Sequence, residues 1–217
     1  MSDSPSPLWI KVCGVTTLED AEAAFALGAD AVGINLIPTS KRAVPLDEAL
    51  RLSYALGRSE STVFVVANLS ALALGELRTQ VGDAWLQLHG EEPREDLLGV
   101  LPRAYKALPI ESQTDVENAA SWPGERLLLD AKVGGAFGGT GQAFDWSLVV
   151  GLARSRPLVL AGGLNPGNVA EAVQRVRPFG VDVASGVEVG GAPRRKDLSK
   201  VAHFIQAARA AHAAVRP

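Results

Sequence analysis

The residues most able to do chemistry in this chain are a single cysteine and an aspartate, each of which ends an apolar run. Cys13 comes directly before Gly14 in the stretch IKVCG, and Asp130 follows three leucines in LLLD. A carboxylate directly after three leucines is unusual for packing, because burying an unpaired charge is costly. A thiol and a carboxyl group can act together as base and acid. The structural alternatives are a cysteine packed as a small hydrophobic side chain and an aspartate that caps a helix or turn.

Two turns in the last third of the chain are suited to an anion. Gly162 and Gly163 follow the apolar run LVLA, and Ser185 and Gly186 follow VDVA. Glycine lets backbone N–H groups approach an anion closely, as phosphate-binding turns require. The alternative is a pair of tight turns with no ligand. After the first turn, Asn165 and Pro166 in LNPGNV predict a helix that has Asn165 as N-cap and Pro166 at its first position.

Further charged and titratable residues follow other apolar runs. Lys41 and Arg42 in PTSKR come after the second run, where a cation would suit an anionic substrate, although most such pairs are simply solvated. His89 ends the run LQLH, and roles as a ligand or as a turn residue are equally compatible with that position. The sequence has no cluster with metal-ligand spacing and no fingerprint of a nucleotide-binding loop.

The elements that must position these residues are short apolar strands that alternate with helices. Such alternation predicts a parallel sheet covered by helices, and eight units in 217 residues fit a single-domain α/β fold, the (β/α)8 TIM barrel. A doubly wound open sheet is the alternative. In a barrel, reactive groups sit where strands end and the following loops begin. The eight predicted strands lie in LWIKVCG, DAVGINLI, STVFVVAN, AWLQLHG, AYKALPI, ERLLLDAK, PLVLAGG and FGVDVASG.

The barrel also predicts an ion pair in its interior. Lys11 and Cys13 point to the same side of the first strand because side chains alternate along a strand. Asp182 lies at the equivalent position of the eighth strand, which neighbours the first in a closed barrel. Buried charges need partners, so we expect Lys11 and Asp182 to pair.

Composition limits the class of protein. The 47% hydrophobic content is typical of a globular protein, and the net charge of −3 does not indicate a nucleic-acid surface. A single cysteine suits a reducing compartment, and no apolar stretch is long enough for a membrane span, so we expect a cytoplasmic protein. Residues 1–7 are expected to be a disordered leader, and residues 8–217 one catalytic barrel domain. The glycine-rich run 134–141 predicts a mobile lid.

The chain resembles the phosphoribosylanthranilate isomerase family, an eight-stranded barrel of tryptophan biosynthesis. The resemblance runs in order from about Lys11 to Asp197, and the ordered set of motifs is much more specific than any one of them. The second strand, GINLI, departs from the family because it lacks the aromatic residues often found there, so we expect the pocket for the aryl ring to be packed differently. The motifs are KVCGVT, GADAVG, PTSKR, LQLHGEE, LLLDAK, GGTGQAFDW, LAGGLNP and VDVASGVE.

The resemblance implies a reaction and roles for individual residues. The family carries out an Amadori rearrangement of N-(5-phosphoribosyl)anthranilate to 1-(2-carboxyphenylamino)-1-deoxyribulose 5-phosphate, with no metal or organic cofactor. Cys13 matches the general base, Asp130 the general acid, and Arg42 the arginine that holds the anthranilate carboxylate. His89 and Asp182 match motif residues whose roles the resemblance leaves open. The matched phosphate-binding residues are Gly162, Gly163, Ser185 and Gly186.

The chemistry of the reaction agrees with these roles. Opening the ribose ring needs a carboxylic acid with a raised pKa, and an apolar strand end can raise the pKa of Asp130. Removing a proton from the adjacent carbon needs a base, and a free thiol is mostly protonated at neutral pH. We therefore expect nearby cationic side chains to favour the Cys13 thiolate. The only partner we expect is a phosphorylated small molecule, bound by a monomer or a homodimer.

Two other functions remain as alternatives. The histidine-pathway sugar isomerase runs the same rearrangement on a similar barrel, but that family has an aspartate where Cys13 stands and binds a second phosphate with its first half. The first half of this chain has no comparable glycine pair at a strand end, which argues against it. A non-catalytic phosphate-binding barrel would keep the two glycine turns but would need neither Cys13 nor Asp130.

Overall fold

Eight parallel strands form a closed barrel in the computed structural model, which describes residues 7–130 and 145–215. The strands are β1 (Trp9–Cys13), β2 (Ala31–Asn35), β3 (Thr62–Val66), β4 (Trp85–Leu88), β5 (Ala104–Pro109), β6 (Leu127–Asp130), β7 (Leu158–Ala161) and β8 (Gly180–Val183). Strand β1 pairs with both β2 and β8, so the sheet has no open edge. The predicted barrel is confirmed, and the doubly wound alternative is wrong.

Helices cover the outside of the barrel. They are α1 (Leu18–Ala26), α2 (Leu46–Leu56), α3 (Ala71–Gln80), α4 (Arg94–Leu98), α5 (Gln113–Ala120), α6 (Val150–Ser155), α7 (Val169–Val176) and α8 (Leu198–Ala214). Ordinary end signals set several of these bounds: Ser112 and Asp115 form a capping box on α5, and Gly57 ends α2 in the left-handed region. Among the described helices, none combines the length and the apolar character that crossing a membrane requires.

Helix α7 begins later than the sequence predicts. The sequence predicts Asn165 as its N-cap and Pro166 as its first residue, but the helix starts at Val169, after Asn168. The stretch between forms a turn of its own, in which the Asn165 side chain accepts from the backbone N–H of Gly167. The Asn168 side chain in turn accepts from the backbone N–H of Asn165. Asn165 thus caps a separate first turn, since its backbone oxygen also accepts from the N–H of Val169, and the regular helix starts only after that turn.

The core has two parts, which follow from the alternation of side chains along each strand. A large outer cluster packs the helices against the outward faces of the strands, and a small inner cluster fills the barrel. The inner cluster includes Tyr105, Leu128 and Val159. Polar side chains lie above this cluster, at the carboxyl end of the barrel.

An aromatic cluster around one arginine closes the amino end of the barrel. The Arg126 guanidinium lies 4.1 Å from the ring centroid of Trp85, 5.0 Å from that of Phe179 and 5.6 Å from that of Trp9. These residues lie at or just before the first residues of their strands. Any cavity in the barrel must therefore open at the other end, where the strands finish.

A short antiparallel hairpin after β8 was not predicted. Its strands are β9 (Glu188–Val189) and β10 (Ala192–Lys196). Its sequence, EVGGAPRRK, lacks the apolar alternation that indicates a strand. The hairpin matters because it brings Glu188 and Lys196 to the mouth of the barrel.

Candidate active site

A cavity of about 290 Å³ lies at the carboxyl end of the barrel. Residues that are far apart in the sequence line it together, because the parallel strands of a barrel all end at the same side. The proposed base and acid, Cys13 and Asp130, both line it. The other predicted residues that line it are Arg42, His89, Gly162, Gly163, Asp182 and Ser185.

The interior ion pair between β1 and β8 is confirmed. Lys11 Nζ lies 3.0 Å from Asp182 Oδ1, and the two residues face each other in the strand register. The lysine side chain is fully buried, and Lys11 also donates to Gln87 Oε1 at 2.9 Å. Since an ammonium group can only donate, both oxygens must accept from it. The cation is thus held under the mouth of the barrel, beside Cys13.

Burial is the largest influence on the pKa of the Cys13 thiol. Loss of hydration raises the pKa of the Cys13 thiol above its ordinary value, and the carboxylate of Asp182 acts in the same direction. The cations of Lys11 and Lys196 oppose this shift without cancelling it. The expectation that neighbouring cations favour the thiolate is therefore wrong in its net direction: the cations are present, but burial outweighs them.

Arg42 is held by a carboxylate of the unpredicted hairpin. Its Nε lies 2.5 Å from Glu188 Oε1 and its Nη2 lies 2.8 Å from Glu188 Oε2, a two-point ion pair that fixes the plane of the guanidinium. Burial opposes ionisation of Glu188, but the hydrogen bonds from Arg42 and the charge of Lys196 prevail, so its pKa is lowered. The pair does not need the Nη1 donors, which can serve a second carboxylate.

The route of the Arg42 side chain requires a glycine. The side chain crosses directly over Gly14, where a Cβ atom would lie 2.3 Å from Arg42 Cδ. Gly14 also has a φ of +73°, a backbone conformation that favours glycine. The glycine directly after Cys13 thus makes room for the cation that faces the same cavity. Lys41, by contrast, is exposed to solvent.

His89 and Asp130 face each other across the mouth. His89 Nε2 lies 3.8 Å from Asp130 Oδ2, too far for a direct hydrogen bond. On its other side, the imidazole contacts Gln87, whose Nε2 lies 3.1 Å from His89 Nδ1. Gln87 was not predicted as a site residue, although its place two residues before His89 on the inward face of β4 could have indicated it.

The two glycine turns lie next to each other along the rim. Gly162 and Gly163 have φ values of +89° and +67°, which few other residues adopt. Gly186 packs against the first turn, since a Cβ atom there would lie 2.1 Å from the carbonyl oxygen of Leu164. Ser185 is exposed at the cavity wall. Close contact between the two turns brings their backbone groups to one point between β6 and β1.

Two predictions of the sequence fall partly or wholly outside the described residues. They are the lid at 134–141 and most of the leader at 1–7, of which the structure describes residue 7. Within residues 7–130 and 145–215, no group of three or more His, Cys, Asp or Glu side chains could hold a metal ion. The residues that line the cavity in this part of the chain include a thiol, carboxyl groups, a guanidinium, an imidazole and glycine turns.

Comparison with known proteins identifies the family. Residues 10–207 match the family model described as N-(5'-phosphoribosyl)anthranilate (PRA) isomerase. The chain belongs to this family. Its members are isomerases of tryptophan biosynthesis, and the match includes every strand of the barrel except the first residue of β1.

Individual relatives agree over nearly the full length. The N-(5'-phosphoribosyl)anthranilate isomerase of Pseudomonas fluorescens is 45% identical over 202 residues, which covers 92% of this chain and 94% of the relative. The phosphoribosyl anthranilate isomerase structure from Thermotoga maritima superposes with a TM-score of 0.84 at 38% identity, covering 94% of this chain and 99% of that one.

A further solved isomerase was obtained with a ligand. It is a complex of phosphoribosyl anthranilate isomerase with reduced 1-(o-carboxyphenylamino)-1-deoxyribulose 5-phosphate. It superposes on this chain with a TM-score of 0.80 at 37% identity, covering 94% of this chain and 99% of the other. The ligand of that protein carries a carboxylate, an arylamine and a phosphate.

Proposed function

We propose that this protein converts N-(5'-phosphoribosyl)anthranilate to 1-(2-carboxyphenylamino)-1-deoxyribulose 5-phosphate by an Amadori rearrangement. One observation carries the proposal: Cys13 and Asp130 line the same cavity from separate strands, with Arg42 and the two glycine turns around its rim. In strand order, the turns after β7 and β8 lie between Asp130 on β6 and Cys13 on β1. A sugar phosphate anchored at those turns would place its ribose between the two groups.

Asp130 acts first, as the general acid. It gives its proton to the ring oxygen of the ribose while the bond between that oxygen and C1' breaks. The nitrogen lone pair forms a double bond to C1', so the product of this step is an open-chain iminium ion, and Asp130 becomes a carboxylate. Its place at the end of β6, directly after buried Leu129 and at the wall of the cavity, supports this role.

Cys13 acts second, as the general base. Its thiolate takes the proton from C2', the C–H electron pair forms a double bond between C1' and C2', and the iminium electrons return to nitrogen. The resulting enol becomes the ketone when C1' gains a proton and the C2' hydroxyl loses one. No atom or electron enters or leaves the substrate overall, so the reaction is an isomerisation.

The active form therefore needs a deprotonated Cys13 and a protonated Asp130 at the same time. Because burial raises the pKa of the thiol, this combination is a minor species at neutral pH. Its amount decreases further whenever the carboxyl of Asp130 becomes more acidic, by tenfold for each pKa unit. The protein consequently gains rate from any contact that helps Asp130 to keep its proton.

The two ends of the substrate are held by separate parts of the rim. Arg42 would bind the anthranilate carboxylate through the donors that Glu188 leaves to it, and the phosphate would accept hydrogen bonds from the β7 and β8 turns. The phosphate-binding residues in this proposal are Gly162, Gly163, Ser185 and Gly186. Asp182 keeps Lys11 charged beneath the site and has no contact with substrate in the proposal.

A direct assay tests the proposal. Phosphoribosylanthranilate is generated in situ from anthranilate and phosphoribosyl pyrophosphate by the corresponding transferase, and its fluorescence is followed when the protein is added. We expect the fluorescence to decay with the wild type. The variants Asp130→Asn and Cys13→Ser should each reduce kcat by about 10²–10⁴-fold, the usual contribution of an acid or base. Full activity in either variant would remove that residue from the mechanism.

A further inference from the structure

The buried amide of Gln87 has only one possible orientation. Its Oε1 accepts from Lys11 Nζ at 2.9 Å and from the hydroxyl of Tyr105 at 3.0 Å. Turning the amide by 180° would place its NH₂ group against the ammonium of Lys11, a donor facing a donor. Because an ammonium cannot accept a hydrogen bond, Lys11 fixes the amide with the oxygen towards itself. The NH₂ group of Gln87 must then face His89.

This orientation determines which nitrogen of His89 carries the proton. Gln87 Nε2 lies 3.1 Å from His89 Nδ1, and an amide nitrogen only donates. Nδ1 must therefore accept, which requires that it bears no proton. The imidazole is neutral, and its single proton sits on Nε2, which lies 3.8 Å from Asp130 Oδ2. The arrangement excludes the imidazolium, because a proton on Nδ1 would point at the NH₂ group.

We propose that His89 is a positioning residue for Asp130, kept neutral by Gln87 so that the acid retains its proton until the ring opens. An imidazolium at this distance would pair with Asp130 and hold it as a carboxylate, which cannot give a proton. A neutral imidazole with its N–H towards Asp130 forms no ion pair, so at rest it does not hold Asp130 as a carboxylate. Once Asp130 has given up its proton, the same N–H can approach and donate to the new carboxylate.

The charges around His89 act in the same direction. The pKa of His89 is lowered, first by loss of hydration in the barrel mouth and then by the cations Lys11 and Lys106. Negative charge on Asp130 or Asp182 acts in the opposite direction and does not reverse the shift. These groups lie on β1, β5, β6 and β8, so the neutral imidazole is a property of the whole mouth and not of β4 alone.

The tautomer itself can be measured without substrate. In ¹⁵N-labelled protein, long-range correlations from the imidazole protons identify which ring nitrogen is protonated. The chain has three histidines, so the signals that disappear in His89→Gln assign His89. We expect the protonated nitrogen to be Nε2 at neutral pH. A proton on Nδ1, or on both nitrogens, would overturn the proposal whatever the activity of the protein.

Gln87→Glu keeps the size of the side chain and reverses the direction of its hydrogen bond with His89. The new carboxylate can still accept from Lys11 and Tyr105, but it presents an acceptor to His89 Nδ1 where the wild type presents a donor. We expect His89 to become an imidazolium near neutral pH and Asp130 to become more acidic. The acidic limb of the pH profile of kcat/KM should move to lower pH, and the maximum should fall about tenfold for each unit of that shift.

Two comparisons separate this effect from general damage. Tyr105→Phe removes the other donor to Gln87 Oε1 but leaves Lys11 to fix the amide, so the tautomer and the acidic limb should not change. In a His89→Gln background, Gln87→Glu should no longer move the limb, because a glutamine cannot become charged. An equal shift in both backgrounds would contradict the proposal. The proposal rests on Asp130 as the acid, and that role fails separately if Asp130→Asn stays active.

Discussion

Gly33 on β2 lies directly beside Cys13 on β1, with no room for a side chain between them. A Cβ atom at Gly33 would lie 2.7 Å from Cys13 Sγ and 2.9 Å from Lys11 Cε. The two residues are partners in the strand register. A methyl group on Gly33 would have to push Cys13 Sγ or Lys11 Cε aside. The position of the thiol in the cavity therefore depends on glycine at this position of β2.

Gly33→Ala should displace the thiol and slow the reaction. We expect kcat to fall by roughly 10²-fold, the cost that a misplacement of about 1 Å can have, with little change in KM. Steady-state kinetics measure both. Gly75→Ala in α3 is the matched control, because a Cβ there meets no atom within 4 Å, and it should leave kcat unchanged. If Gly33→Ala also leaves kcat unchanged, the thiol position does not limit the rate.

The pH profile should report the raised pKa of Cys13. Of the two groups, the one with the higher pKa sets the alkaline limb of kcat/KM, and burial places the thiol above its ordinary value of about 8.5. We expect the alkaline limb above that pH, although coupling makes both limbs properties of the pair. Cys13→Asp should move this limb to lower pH, because a carboxyl ionises more readily than a thiol. An alkaline limb that stays in place would mean that another group is the base.

Arg42→Ala should weaken binding of ligands that carry the aryl carboxylate. The expected loss is about 1.5–3 kcal/mol, the value of a hydrogen bond to a charged group. Binding of a product analogue with the carboxylate and of one without it, measured by calorimetry, separates this contact from general damage. The neighbouring Lys41 is exposed, so Lys41→Ala should bind both as the wild type does. Equal losses for the two analogues in Arg42→Ala would contradict the assignment.

Ser185→Asp should repel the phosphate. Ser185 is exposed at the cavity wall, so an aspartate fits there without disturbing the core, but it places a negative charge beside the turn. We expect KM to rise by about tenfold or more with a smaller effect on kcat, the pattern of lost ground-state binding. Ser185→Ala keeps the backbone donors and should raise KM only slightly. Similar KM values for the two variants would place the phosphate elsewhere.

The ion pair of Lys11 and Asp182 should be costly to break. Asp182→Ala leaves a fully buried ammonium without its counter-charge and should reduce the free energy of unfolding by about 3–5 kcal/mol. Urea denaturation measures this loss. Combining Asp182→Leu with Lys11→Met removes both charges and should recover most of it. Asp47→Ala breaks a solvent-exposed pair with Arg51 and should cost less than about 1 kcal/mol.

The sequence predicts the fold well because each strand carries its own signal. All eight predicted strands are present, and the pairing of Lys11 with Asp182 follows from simple alternation once the barrel is assumed. The hairpin that supplies Glu188 could not be predicted, because it is short, polar and rich in glycine. The ion pair between Glu188 and Arg42 joins residues that are 146 positions apart, so no local sequence pattern can predict it.

The sign of the Cys13 shift could not be predicted for a related reason. The sequence indicates that cations lie nearby, but the outcome depends on how completely the thiol is dehydrated and on the carboxylate of Asp182, which are properties of the assembled mouth. The same holds for Gln87, whose importance lies in the orientation that Lys11 imposes on it. Residue types can thus be predicted at this site, whereas protonation states require the three-dimensional arrangement.

The pairing of β1 with β8 has a consequence for biosynthesis of the protein. Lys11 and Cys13 are synthesised early, whereas Asp182, the partner of Lys11, lies 171 residues further along the chain. The hairpin residues that complete the mouth come later still, at positions 188–196. Since β1 pairs with β8, the barrel can close only when its last strand is available, so Lys11 cannot meet its counter-charge until the chain has been synthesised almost to its end. Cys13 is buried in the folded protein, so its protection from solvent also has to wait for the last strand.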